Sequence, residues 1–266
     1  MSIVRAFHIT RTGLQLQETN LSIKSQNIAA QGVDGYKRQY LVATDLPYQD
    51  FGSVGASTSD AGTVSPTGLQ IGLGVQPAGI YRIFTAGDPI NTGNPLDFMI
   101  EGDGFFEVTL PDGTIAYTRV GALQLDAQNR IVMPKTGYPV VPGITLPANT
   151  TSVSVNSLGQ ISVLIQGQST EQVVGQFELA TFFNPAGLRA IGDSMFLETS
   201  ASGTGDKGTP GTNRRGSIKQ AWREGSNVNA VEEITDLIKI EKIYDMLTKV
   251  LKTGDAMLQA ANGVGR

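Results

Sequence analysis

Apolar residues recur at helical spacing at both ends of this chain and at alternate positions between them. Over residues 3–30, Phe7, Leu14, Leu21 and Ile28 recur every seven residues, as do Ile9, Leu16, Ile23 and Ala30. The two rows lie two residues apart, about 200° around a helix. A helix with apolar rows on nearly opposite sides needs neighbours on both. Near the C-terminus, Leu237, Ile240, Tyr244, Leu247, Leu251, Gly254 and Leu258 alternate in steps of three and four. Ile243, Met246, Val250 and Met257 widen that stripe, which reads as a heptad seam about three heptads long. Asn229 and Glu232 stand at capping-box spacing. Acids cluster early and lysines late, which suits the helix dipole.

Between the ends the period changes to two. GFFEVTL (104–110) alternates Phe106, Val108 and Leu110, and Pro111-Asp112-Gly113 then signals a turn. VSVNSLGQISVLI (153–165) predicts a hairpin, and VVGQFELATFF (173–183) alternates as one strand. Residues 80–200 therefore predict an antiparallel β domain. Residues 47–68 and 200–216 are rich in Gly, Ser and Thr, a linker composition.

Composition agrees with this division. The 32 glycines and only 17% charged residues favour a turn-rich β body over a helical bundle. The 40% hydrophobic content argues against disorder. Net charge is −4 and no long basic run occurs, so no nucleic-acid surface is expected. The absence of Cys excludes disulfides, thiolate catalysis and Cys-ligated metals. No stretch approaches a membrane span, and the first twenty residues lack the apolar core of a secretory signal peptide.

Candidate chemistry is thin. His8 is the sole histidine and has no acid beside it in sequence, so neither a triad nor a metal site is indicated. Gly102-Asp103-Gly104 and Gly72-Leu73-Gly74 do not extend to a nucleotide fingerprint and predict tight turns. Asp97, Glu101, Asp103 and Glu107 form the densest carboxylate group, but their setting among turn residues does not indicate catalysis. No catalytic residue, cofactor or metal ligand is assigned. The C-terminal seam could pack on the N-terminal helix of the same chain, which would leave that helix's second row for another subunit. Gly32, after the N-terminal helix, is expected as a left-handed stop, with Val33-Asp34-Gly35 turning the chain.

Several runs resemble the bacterial flagellar rod and hook family. Thr12-Gly13-Leu14, Asn27-Ile28-Ala29 and Gly35-Tyr36-Lys37-Arg38 match its N-terminal signature. Leu96-Asp97, Gly102-Asp103-Gly104-Phe105-Phe106 and Tyr117-Thr118-Arg119 match its central block. Glu224-Gly225-Ser226-Asn227-Val228-Asn229 and Asp255-Ala256-Met257-Leu258 match its C-terminal signature. The last helix departs from the family, keeping Tyr244 but placing Leu247 where a polar residue is usual.

Asp45-Leu46, Tyr48-Gln49, Pro66-Thr67-Gly68-Leu69-Gln70-Ile71-Gly72 and Gly74-Val75 are similar to the stretch characteristic of distal rod subunits. In that branch the stretch is associated with a straight, stiff rod.

The resemblance implies an α+β fold. Long N- and C-terminal helices would form a coiled-coil-like inner domain, with a central, mainly antiparallel β domain. The expected divisions are 1–38 (helix and joint, with 222–266), 39–79 (connecting segment), 80–200 (outer β domain), 201–221 (return) and 222–266 (C-terminal helix). The implied function is a non-enzymatic structural subunit of the distal rod. It would polymerise into a rigid tube that transmits torque and carries export through its channel.

The implied partners are further copies in a helical filament, proximal rod proteins, the hook protein and the surrounding L and P ring proteins. The implied location is the basal-body rod crossing the periplasm, reached without a cleaved signal peptide. The expected assembly seam is Phe7, Leu14, Leu21, Ile28, Leu237, Ile240, Tyr244, Leu247, Leu251 and Leu258. Gly32 and Gly35 form the expected joint. The rod-specific residues are Tyr48, Gln49, Gly68, Leu69, Gln70 and Gly72. The rivals are a proximal rod subunit and, from another class, a β-rich extracellular carbohydrate-binding or hydrolase domain with oligomerising helical tails.

Overall fold

A computed structural model describes residues 2–52, 67–168 and 170–264. Residues 53–66, within the stretch expected to be rod-specific, lie outside the described residues. The fold is α+β, with a helix at each end and mainly antiparallel sheets between. The chain forms two compact units. One comprises residues 1–28, 39–81 and 230–266, and the other 29–38 and 82–229.

The first unit holds helix α1 (Ser2–Ala29), strands β1 (Gln39–Asp45), β2 (Tyr48–Gly52), β3 (Leu69–Gly72) and β4 (Val75–Arg82), and helix α2 (Ala230–Val264). Neither helix contains proline, and α1 has a single glycine, so nothing breaks either ladder. Glu232 and Glu233 occupy the first turn of α2, where the dipole favours acids. β1 pairs with β4, and β2 pairs antiparallel with β3.

The two glycines within the paired helix surfaces mark their closest approaches. A Cβ added at Gly13 would stand 3.3 Å from Leu247 Cδ1, and one at Gly254 would stand 2.9 Å from the Phe7 ring. Both positions thus seat a large side chain from the other helix.

The second unit contains strands β5 (Pro89–Asn91), β6 (Phe98–Glu101), β7 (Phe105–Thr109), β8 (Ile115–Thr118), β9 (Gln124–Leu125), β10 (Ile131–Val132), β11 (Thr150–Val155), β12 (Gln160–Ile165), β13 (Gln172–Gln176), β14 (Leu179–Thr181), β15 (Arg189–Gly192), β16 (Met195–Leu197), β17 (Asp206–Gly208), β18 (Ser217–Gln220) and β19 (Trp222–Glu224). Its largest sheet has the order β15-β16-β8-β7-β14-β17. β11, β12 and β13 form a second sheet, and β9/β10, β6/β18 and β5/β19 are two-stranded.

The alternation along β7 aims at two cores. Phe106 and Val108 join Phe98, Ile100, Ile161 and Phe177 in the larger core, whereas Phe105 joins Tyr117, Phe182 and Phe196 in the smaller. The rings meet edge-on, with Phe98–Phe177 centroids 5.2 Å apart and Tyr117–Phe182 centroids 4.7 Å apart.

Two expectations need correction here. The run 173–183 is two strands, β13 and β14, because its halves serve different sheets. β13 pairs with β12, while β14 pairs with β7 and β17. Residues 200–216 are not a free linker. They contain β17 and the buried Arg215, whose Nη2 donates to the Lys207 carbonyl at 2.9 Å. Polar composition concealed these backbone pairings.

Candidate functional site

Three segments of the β-rich unit are laced together around buried charges. They are residues 34–38, 83–88 and 222–228. In sequence, each abuts a point where the chain passes between the two units. Lys37 and Glu224 are each 1% exposed, and Lys37 Nζ donates to Glu224 Oε1 at 2.5 Å. Lys37 Nζ also donates to the Thr85 carbonyl at 2.7 Å, and the Gly87 amide donates to Glu224 Oε1 at 2.9 Å. Arg119 Nη1 stands 3.4 Å from Glu224 Oε2. One carboxylate thus faces two buried cations. Burial pushes the Lys37 ammonium below its ordinary value. Glu224 opposes that push and Arg119 adds to it.

Backbone bonds complete the crossing. The Gly35 amide donates to the Glu224 carbonyl at 2.8 Å. Asn227 accepts from the Arg38 amide at 2.7 Å through Oδ1 and donates through Nδ2 to the Ile83 carbonyl at 2.7 Å. Its one amide side chain therefore bridges two of the segments. Arg223 Nη1 donates to Asp34 Oδ2 at 2.8 Å. Gly35 is buried in a left-handed conformation (φ 64°), and a Cβ there would stand 3.0 Å from the Val120 nitrogen. Gly32 is exposed, with no left-handed φ and nothing near its would-be Cβ. The left-handed glycine of the joint is therefore Gly35. α1 ends at Ala29, and a turn closed by the Val33 amide on the Ala30 carbonyl, at 3.1 Å, follows it.

The helical unit has its own polar lock. Lys24 Nζ lies 2.9 Å from Asp236 Oδ2 and 3.2 Å from Glu233 Oε2. Asn27 donates to Glu233 at 3.1 Å and exchanges two bonds with the backbone of Gln39, each 2.9 Å. α1, α2 and the start of β1 are thereby held in register.

Two family models match the chain. One, described as the flagellar hook protein FlgE/F/G D1 domain, covers residues 99–163. The other, described as the flagellar basal body rod FlgEFG protein C-terminal, covers residues 219–264. The flagellar basal-body rod protein FlgG of Caulobacter vibrioides is 42% identical over 97% of this chain and 98% of its own. FlgG of Buchnera aphidicola from Acyrthosiphon pisum is 40% identical over 97% and 98%, and that of Borreliella burgdorferi 35% over 99% and 100%.

The chain belongs to the FlgG family of flagellar basal-body rod proteins.

Like other FlgG proteins it is a structural subunit of the flagellar basal body, of the distal rod, and not an enzyme. The Escherichia coli hook protein FlgE is also 34% identical, over 56% of this chain and 34% of its own.

The seam residues divide by exposure. Ile240 is buried, and Phe7, Leu14, Ile28, Leu237, Leu247, Leu251 and Leu258 are half-buried. Leu21 and Tyr244 are exposed. The α1 row expected to remain uncovered is instead covered at Ile23 and half-covered at Ile9 and Leu16. The uncovered apolar row is on α2: Val231, Ile234, Ile238, Met246, Val250 and Met257, all roughly half exposed or more.

Of the rod-specific residues, Tyr48 pairs with Gly72, Gln49 with Ile71 and Asp50 with Gln70 across β2 and β3. Leu69 pairs with Gly52 beyond a register shift, and Gly68 precedes β3. Tyr48, Phe51 and Leu69 are exposed on this ribbon, and the Arg5 guanidinium lies 4.6 Å over the Phe51 ring.

The carboxylate group does not converge. Asp97 accepts from Thr92 and Asn94 and faces Arg223 Nε at 3.1 Å. Glu107 pairs with Lys207 at 2.7 Å, and Glu101 and Asp103 are exposed. Among the described residues, no three His, Cys, Asp or Glu side chains are grouped to hold a metal ion. No helix among them is long and apolar enough to cross a membrane.

Sequence reasoning gave no role to Lys37, Arg119, Glu224 or Asn227, although all four fall within the quoted family runs. Charged residues inside otherwise turn-like motifs were the available signal. Asn27 fell within a quoted family run and Glu233 and Asp236 within the early acids of the C-terminal helix, but nothing in sequence joined them to each other or to Lys24.

Proposed function

We propose that the chain polymerises head to tail into a stiff tube, the shaft that transmits torque and encloses the export channel. The carrying observation is the apolar row on α2, Ile234, Ile238, Met246, Val250 and Met257, each left about half exposed or more by the described residues of the same chain. Each such side chain gains about 1.5–3 kcal/mol on full burial, so a second copy is favoured to cover the row. A heterologous contact that does not close generates a helical filament.

In this reading the terminal helices, residues 1–38 with 222–266, supercoil as an inner layer. Residues 39–79 connect them to the outer β domain, 80–200, and 201–221 returns. The row Phe7, Leu14, Leu21, Ile28, Leu237, Ile240, Tyr244, Leu247, Leu251 and Leu258 holds the two helices of one subunit together and contributes Leu21 and Tyr244 to neighbours. The ribbon of Tyr48, Gln49, Gly68, Leu69, Gln70 and Gly72 stiffens the tube between adjacent subunits. Its partners are proximal rod proteins, the hook protein and the L and P ring proteins, along a shaft crossing the periplasm. The subunit reaches that site through the flagellar export channel without a cleaved signal peptide.

Electron microscopy of the concentrated protein tests this. The wild type should form straight tubes. Ile238→Asp with Met246→Asp should form none while the thermal unfolding midpoint stays unchanged, since both side chains are exposed in the subunit. Normal tubes from this variant would overturn the assignment of the α2 row.

A further inference from the structure

The described methionines fall into two classes. Met99, Met133 and Met195 are each 5% exposed within the β-rich unit, and Met133 belongs to its larger core. Met246 and Met257, both on α2, are 57% and 60% exposed. Met1 lies outside the described residues. The chain has no Cys, so thioether sulfur is the only sulfur it offers to an oxidant. An oxidant must reach the sulfur lone pair, so Met246 and Met257 are the reactive pair.

Their place on α2 gives that reaction a consequence. Met246, Val250 and Met257 follow one another in steps of four and seven, which sets them on one face of the helix. Met257 also lines an apolar cavity of about 340 Å³ with Phe7, Val250 and Gly254. A sulfoxide turns this flexible apolar side chain into a polar one. On the exposed face of a free subunit the new oxygen is hydrated and costs the fold little. Closed inside an apolar contact without a donor, it carries the full cost of desolvation.

We propose that Met246 and Met257 of the unassembled subunit are sites of reversible sulfoxidation by a peroxide, and that the sulfoxide form is barred from the tube. The assembly consequence rests on the tube reading of the α2 row; the two sites do not. The thioether lone pair attacks one peroxide oxygen, so an S–O bond forms and the O–O bond breaks. Sulfur gives up two electrons, and the proton on the transferred oxygen passes to the departing hydroxide, which leaves as water. The return reaction needs two thiols, which become a disulfide as the sulfoxide oxygen leaves as water. This chain has no thiol, so a separate dithiol reductase supplies them.

The test is treatment of the unassembled full-length chain with hydrogen peroxide, each methionine being followed by peptide mass spectrometry. Met246 and Met257 should gain one oxygen at least about tenfold faster than Met99, Met133 and Met195, whose sulfurs wait on opening of the fold. The thermal unfolding midpoint should stay unchanged. The protein concentration needed for tubes, read by sedimentation and electron microscopy, should rise at least about tenfold, which is 1.4 kcal/mol. Methionine sulfoxide reductases with dithiothreitol should reverse that rise. In Met246→Leu with Met257→Leu, peroxide should leave the concentration where it stood before treatment. Equal oxidation rates at all five methionines, tubes from the sulfoxide form at an unchanged concentration, or an equal peroxide effect in the double variant would each overturn the proposal. Absence of tubes from the untreated chain would overturn the tube reading and the assembly consequence with it, while the peptide map still decides the two sites.

Discussion

Lys37 Nζ and Glu224 Oε1 lie 2.5 Å apart with both side chains closed to solvent, so the outgoing and returning chain segments of the β-rich unit are fastened by one buried ion pair. Removing one partner leaves the other as an uncompensated buried charge. Glu224→Ala would strand Lys37 beside Arg119 and should destabilise the unit by about 3–5 kcal/mol. Replacing Lys37 and Glu224 together by Met and Leu should cost much less, because the desolvation of both charges disappears with them. Trp222, the sole tryptophan, lies on β19 two residues from Glu224 and reports both variants by fluorescence during urea unfolding. Equal losses in the single and double variants would show that the pair is incidental.

The two units should respond oppositely to alkali. Burial opposes the Lys24 charge, but the hydrogen bonds it donates to Asp236 and Glu233, with their negative charge, outweigh burial and raise its pKa above 10.5. Hydrogen bonds from Lys24 and then Lys239 hold Asp236 below 3.8. The Lys24 contribution is therefore complete below pH 10.5 and is lost as pH rises through the raised value. The Asp236 contribution is present above pH 3.8 and is lost as pH falls through the depressed one. Lys37 is lowered, chiefly by burial, so the unfolded chain binds more protons than the folded chain, and its unit gains stability as pH climbs towards 10.5. Circular dichroism at 222 nm should show the helical signal weakening at both extremes, and Lys24→Met should remove the alkaline arm. A helical signal with the same alkaline midpoint in Lys24→Met would exclude this pair as its source.

The helices were legible because their apolar periods ran for four turns or more at each end. β7 was legible from alternation, and its end from Pro111-Asp112-Gly113. What stayed hidden depended on contacts distant in sequence. Nothing near Lys37 announces that Glu224, 187 residues later, will neutralise it. The break between β13 and β14 follows from two different partner sheets, which a single alternating run cannot display. By sequence Gly32 was the expected left-handed stop and Gly35 only part of the turn after it, whereas the left-handed residue is Gly35. Only the approach of the Arg119–Val120 backbone to Gly35 separates them. The apolar face of α2 was visible as one wide stripe, but which half meets α1 depends on where Gly13 and Gly254 admit Leu247 and Phe7.

Gly87→Ala should disrupt the same crossing by a steric route. A Cβ at Gly87 would fall 2.0 Å from the Gly225 carbonyl oxygen, which belongs to backbone and cannot rotate away. The Gly87 amide would be pulled from Glu224, so a hydrogen bond to a buried charge is lost along with the packing. The expected loss is about 3 kcal/mol or more, in the range tied to overpacking and broken buried networks. Gly113→Ala is the control, because nothing lies within 4 Å of its would-be Cβ and its cost is confined to the left-handed φ of 82°. Equal urea midpoints for the two variants would show that the Gly87–Gly225 approach relaxes freely.

The β2–β3 ribbon should matter to the polymer far more than to the subunit. A two-stranded ribbon is marginal in water by itself, and Tyr48 and Leu69 present 58% and 60% of their surface to solvent. Tyr48→Ser with Leu69→Ser should therefore shift subunit stability by no more than about 0.5 kcal/mol, as for other exposed positions. In assembled tubes the same change removes two large apolar side chains, each worth about 1.5–3 kcal/mol if a neighbour buries it. Because the contact repeats at every subunit, the effect accumulates along the tube. The expected outcome is bent or flexible tubes in electron micrographs, with a shorter persistence length than the wild type and unchanged thermal unfolding of the subunit. Deleting residues 47–68 should soften the tube at least as much. Straight tubes of undiminished persistence length from both variants would remove this ribbon from the mechanism of stiffness and leave the α2 row to supply it.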